Sequence, residues 1–375
     1  MTTRKSRKKE IEAEEGVWPL PPRHNADLVG QEEAERTLLA AWRSGRLPHA
    51  WLICGPRGVG KATLAYRFAR AVLASGGAGD GLFTGEGSRI PPDLALAPEH
   101  PIFRRVAARG HGDLLAFERE LNDKGKLESA IPAERIRSAS ELFHMTAAEG
   151  GWRIAIVDSV DDLNTHGANA LLKVLEEPSE RSLLLLVCHE PGRLLDTIRS
   201  RCRRLNLKPL GDATLATLIQ QHAGKLPDED VMALLALSDG SIGRALDLVA
   251  NGGLALYREL FGVLSGFPHL DTAAVHAFAD RLARDRDGLA FRVGMELLLW
   301  WLGRLLRAAS GHEPDGELIA GEADLIERCL GSRNLAHWLT LWDKTAGLLR
   351  RGEGIHLDRK QMAVAALLSL EADVP

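Results

Sequence analysis

The run Gly55-Pro-Arg-Gly58-Val-Gly60-Lys61-Ala62-Thr63 has the composition of a phosphate cradle. Its glycines let backbone N–H groups wrap an anion, a helix opening at Lys61 would add the positive end of its dipole, and the lysine would place a point charge on the outer phosphates. The apolar run from Ala50 to Cys54 before it reads as a buried strand, and Lys61 to Ala74 after it as a helix. That strand–turn–helix setting is what the cradle needs, and it argues against a glycine-rich turn with an incidental lysine. Gly55, Gly58, Gly60, Lys61 and Thr63 are therefore candidate nucleotide-binding residues. One departure counts against magnesium. The hydroxyl expected directly after the lysine is replaced by Ala62, and Thr63 comes one step late, turned about 100° around the helix.

A second candidate is Asp158, which ends the apolar run Arg153-Ile-Ala-Ile-Val-Asp158 where a metal-water carboxylate would sit. An ATP-hydrolysing site needs a second acid next to it to polarise the attacking water, and this chain has Ser159 there. Asp161 and Asp162 read as solvated turn or cap residues. Arg201 lies in a basic strip with Arg199, Arg203 and Arg204, and by chemistry alone a surface strip and a phosphate-seeking guanidinium are equally good readings. Arg135 and Arg137 fall in the first turns of a helix opened by Pro132, as contacts to a DNA backbone would need; pairing with Glu134 or Glu141 is the plainer alternative. Trp152, Trp300, Trp301, Trp338 and Trp342 read as core or interface anchors, and His144, His166 and His189 lack ligand spacing.

The elements that must hold these residues follow from periodicity. Strands are expected at Asp113 to Phe117, Arg153 to Val157, Leu183 to Val187 and Arg203 to Leu207 besides Ala50 to Cys54. Helices are expected over Asp27 to Arg46, Pro132 to Ala148, Asn164 to Glu176 and Arg193 to Arg199, with the Gly- and Pro-rich stretch from Ser75 to Pro101 as a surface excursion. Strands alternating with helices predict an α/β domain with a five-stranded parallel sheet. After Asp212 only helical patterns remain. The division that results is a tail over 1–22, an α/β domain over 23–209, a small helical lid over 210–252 and a C-terminal all-α bundle over 253–375.

Composition narrows the function. With 375 residues, 45% hydrophobic and 26% charged, the chain folds around more than one core. A net charge of -4 excludes a surface that is basic throughout, so any DNA contact is a local patch. The four cysteines form no CxxC pair and predict neither disulfides nor zinc. No apolar stretch approaches the roughly 20 residues of a membrane span, and the basic start lacks the apolar core of a secretory signal, so a cytoplasmic protein is expected.

The box Asp27-Leu-Val-Gly-Gln31, the glycine loop, the run Asn169-Ala-Leu-Leu-Lys-Val-Leu-Glu-Glu-Pro178 and the triplet Ser200-Arg201-Cys202 together resemble bacterial clamp-loader subunits of the AAA+ class. Within that family the pattern is most similar to the delta-prime branch of DNA polymerase III. The resemblance covers about Arg23 to Leu207 by motif. It implies an AAA+ P-loop domain followed by a lid and a helical collar, and gamma/tau and delta subunits as partners. Primed DNA and the sliding clamp would be reached through the assembly. It assigns Arg201 as a catalytic group acting in trans, at the ATP site of a neighbouring subunit, in a stator that itself hydrolyses little or no ATP. ATP is then an optional ligand. A gamma/tau-like working ATPase is the alternative. Two departures stand out: Gly243 occupies the place of a second sensing arginine, with Arg244 one residue out, and no cysteine lies between Cys54 and Cys188 to build the family's zinc module.

Overall fold

The computed structural model describes residues 20–76, 91–120, 128, 130–149, 151–284, 288–312, 316–354 and 358–371, with the backbone alone from 350 to 354. Most of the tail and the centre of the 75–101 excursion lie outside the described residues. Two compact units divide the chain, Met1–Thr214 and Leu215–Pro375.

The first unit is built on five parallel strands, β1 (Ala50–Cys54), β2 (Leu114–Glu118), β3 (Arg153–Asp158), β4 (Ser182–Cys188) and β5 (Arg203–Asn206), in the order β2-β3-β4-β1-β5. This is the expected α/β sheet. Its helices are α1 (Glu32–Arg43), α2 (Lys61–Gly76), α3 (Pro101–Ala107), α4 (Ala133–His144), α5 (Thr165–Glu176) and α6 (Asp196–Arg199). The two-residue period of the strands sends Trp51, Ile53, Leu183, Leu185 and Val187 into one core with α1 and α2. Leu52, Cys54, Leu184, Leu186 and Cys188 go to the other, against α4 and α5. Helices on both faces explain why β1 and β4 are apolar at nearly every position. The register pairs Cys54 with Cys188 and Asp158 with Val187, so the loops leaving β1, β3 and β4 open side by side at one end of the sheet.

Several boundaries differ from expectation, each for a local reason. Helix α1 begins at Glu32 and not at Asp27, because the chain before it is strapped to α2: Arg70 donates to the carbonyls of Arg23 (3.0 Å) and Asn25 (2.7 Å), and Arg67 to that of Ala26. Pro132 is the N-cap of α4, in extended conformation, and not its first helical residue. The helix stops at His144, short of Ala148, whose backbone N–H is taken by the Asp113 carboxylate at 2.7 Å, with that of Glu149 at 3.1 Å. The segment from Arg193 to Arg199 is a 3-10 turn (Pro191–Arg193) and the short α6, separated by extended Leu194 and Leu195. Helix α3 was not expected; Pro101 opens it and His100 Nδ1 caps it by accepting from Ile102 N at 3.2 Å.

The second unit is helical among its described residues, beginning within α7 (Asp212–Ala223) and running through α8 (Asp228–Ser238), α9 (Ile242–Ala250), α10 (Gly253–Leu264), α11 (Thr272–Arg284), α12 (Leu289–Ala309), α13 (Glu322–Ser332), α14 (Leu335–Gly354) and α15 (Arg359–Leu368). Trp300, Trp301 and Trp338 are buried in it. So is Glu322, fully enclosed, which accepts from Tyr257 OH and from Leu318 N (2.9 Å) and faces Arg304 at 3.6 Å. Among the described residues no helix is long and apolar enough to cross a membrane.

Candidate nucleotide loop and outward arginine

The glycine loop joins β1 to α2 and needs its glycines. Gly55 has φ of 148°, and a Cβ there would stand 2.7 Å from the Leu207 carbonyl oxygen. Gly60 has φ of 97°, and its Cβ would meet Leu28 Cδ1 at 2.6 Å. Gln31, the last residue of the Asp27 box, braces the loop from outside: its Nε2 donates to Val59 O (3.2 Å) and Lys208 O (2.9 Å). The box thus ties the loop directly to the chain that follows β5.

Lys61 is 3% exposed, and its Nζ donates to the loop's own carbonyls, Gly55 O at 2.7 Å and Pro56 O. Burial draws its pKa down to about 8, against the pull of Asp158 and Asp161. Asp158 ends β3 beside it, and burial pushes that carboxyl up to about 6, with Lys61 opposing the rise. The glycines and the lysine fit a phosphate. Magnesium does not fit as well: Ala62 offers no oxygen, and Thr63, 8% exposed, lies about 200° around the helix from Lys61.

Ser159 is buried, its hydroxyl donating to Asp162 Oδ2 at 3.2 Å. The two acids after it are not solvated turn residues, as their position suggested. Asp161 accepts from the backbone N–H of His189 (2.6 Å) and Glu190 (3.0 Å), fixing the loop after β4. Burial works to raise its pKa, but the two backbone donors, together with the His189 ring and the Cys188 thiol, hold the carboxyl below its ordinary range. Asp162 pairs with Arg119 at 3.2 Å. His189 was not singled out by spacing, yet it stands at this end of the sheet. Its imidazole is pushed down to about 3 by burial, then by Lys61 and Arg57, and its Nδ1 is buried with no hydrogen-bond partner among the described residues. Among the described residues no group of three or more His, Cys, Asp or Glu is arranged to hold a metal ion.

Arg201 follows α6, away from the glycine loop in sequence, with 38% of its side chain exposed. Its Nη1 donates to Thr197 O at 3.1 Å and its Nη2 meets Glu176 Oε1 at 2.9 Å. Arg135 is committed internally: it pairs with Glu128 at 3.0 Å and Glu120 at 3.1 Å and donates to Glu118 O at 3.2 Å. Arg137 is exposed and faces Glu134 at 3.5 Å. In the second unit Arg244 pairs with Asp239 at 3.4 Å.

Residues 93–211 match the family model described as DNA polymerase III, delta subunit. DNA polymerase III subunit delta' of Pseudomonas aeruginosa is 36% identical over 282 residues, 74% of this chain and 78% of that protein. The delta' subunit of Bacillus subtilis is 27% identical, covering 66% of this chain and 67% of that one. The gamma/tau subunit of Mycobacterium tuberculosis is 29% identical over 70% of this chain but 43% of its own length. Of solved structures, a DNA polymerase III gamma subunit-related protein of Thermotoga maritima aligns with 89% of this chain and 98% of its own at 15% identity and a TM-score of 0.38. The chain belongs to the DNA polymerase III delta' family and is a clamp-loader subunit whose first unit is built on a five-stranded parallel α/β sheet.

Proposed function

We propose that this chain is the stator of its clamp loader: a subunit that hydrolyses little or no ATP, contributes Arg201 to the ATP site of the neighbouring ATPase subunit, and so supports placing the sliding clamp on primed DNA. The observation that carries this reading is the contrast between the two cations. Lys61 is enclosed on the carbonyls of its own loop, whereas the Arg201 guanidinium is held at the surface. A guanidinium suits work on a neighbour's triphosphate, since it is always charged and its fork matches phosphate oxygens as negative charge develops. On its own side the chain lacks the hydroxyl next to Lys61 and the acid next to Asp158. Gly55, Gly58, Gly60 and Lys61 would hold the phosphates of ATP when it is bound, and ATP is not required for the chain's own contribution. The partners on this reading are gamma/tau and delta subunits.

A gamma/tau-like working ATPase is the second reading, favoured by the 29% identity to those subunits. ATP turnover by the isolated chain separates them. The stator reading expects no turnover above that of a Lys61→Ala variant. Hydrolysis that Lys61→Ala abolishes would establish the motor reading instead.

A further inference from the structure

The acidic partner of Arg201 sets it apart from its basic neighbours. Arg193 and Arg199 pair within their own turns, with Glu190 and Asp196 three residues before them. Arg201 reaches to another element: Glu176 is the last residue of α5, and the second acceptor, Thr197 O, belongs to α6. The guanidinium therefore bridges two elements, one through a side-chain carboxylate and the other through a backbone carbonyl. The hold is weak. With side-chain exposures of 38% and 50%, water and salt screen the pair, and such pairs are worth at most about fivefold in an equilibrium.

We propose that Glu176 is a positioning residue for Arg201: its carboxylate parks the guanidinium between α5 and α6 until a triphosphate oxygen on the neighbouring subunit takes its place. The proposal rests on the reading of Arg201 as a group acting in trans. Carboxylate and phosphate compete for the same fork of N–H donors, so the exchange swaps one charge-assisted contact for a like one. Breaking the pair is needed for the bound ground state and the transition state alike. Its cost therefore falls on KM rather than kcat.

The test uses the reconstituted clamp loader in which the ATP site next to this chain is the competent one. Glu176→Gln keeps the side chain's shape and removes its charge. KM for ATP is expected to fall about two- to fivefold at low salt, and the difference from wild type to shrink towards nothing at about 0.5 M salt. In an Arg201→Ala background the same substitution should change nothing. An unchanged or raised KM overturns the parking role, as does an equal shift in the Arg201→Ala background. Full activity of Arg201→Ala by itself would instead remove the trans role and the parking role together, so the two failures are distinguishable.

Discussion

The Nζ of Lys61 lies 2.7 Å from the carbonyl oxygen of Gly55, the first residue of its own loop. A lysine placed to meet a phosphate is here part of the loop's internal hydrogen bonding, with Pro56 O as its second acceptor. Lys61→Met keeps most of the buried stem and removes the donor. It should lower the stability of the first unit by about 1 kcal/mol, the net worth of a hydrogen bond or two less the relief of an enclosed charge. Urea unfolding followed in that unit checks this, and a variant as stable as wild type would show that the contact to Gly55 holds nothing.

Asp158 predicts a pH dependence. Its carboxyl is raised from 3.8 to about 6 by burial, even with Lys61 beside it. Between those values the folded state holds more proton than the unfolded one, so this group's contribution to stability declines as pH rises through the window. Asp158→Asn cannot titrate. The variant should be more stable than wild type at pH 7, by on the order of 2 kcal/mol, and lose most of that advantage by pH 4. Unfolding midpoints at the two pH values measure it, and a gap that does not change with pH would contradict the assignment.

In the second unit the buried trio of Tyr257, Glu322 and Arg304 should dominate stability. Glu322 is 0% exposed and Arg304 is 5% exposed, its Nη2 donating to Gly316 O at 2.6 Å. Glu322→Ala leaves a buried guanidinium facing a cavity and should cost about 3–5 kcal/mol. Tyr257→Phe removes one donor and should cost about 1–2 kcal/mol. Thermal unfolding of the two variants tests the order, and equal losses would mean that the charge pair matters no more than the hydroxyl.

The parts of this molecule that were legible in sequence are those fixed by local pattern. β1 runs over Ala50–Cys54 as expected because an all-apolar run of that length between a turn and a glycine has few alternatives in a covered sheet. Helix α5 starts as expected because Asn164 caps it, accepting from Gly167 N at 2.8 Å. What was not legible depends on residues distant in sequence. Asp161 looks like a turn acid until β4 brings His189 and Glu190 to it. Arg67 and Arg70 of α2 are buried against the carbonyls of Arg23, Asn25 and Ala26, far back in the chain, and the Arg70 guanidinium lies 4.2 Å from the Phe103 ring. The role of Arg135 turned on Glu120 and Glu128, which no helical spacing connects to it.

Hydrolysis at the neighbouring subunit's site, in a complex carrying Arg201→Ala, tests the central claim most directly. Because Arg201 is a surface residue, its removal should leave the chain's stability within about 0.5 kcal/mol and leave assembly intact. The account predicts that turnover at that site falls about 10³-fold, the scale on which a transition-state arginine acts. Turnover equal to wild type in a fully assembled complex would contradict it.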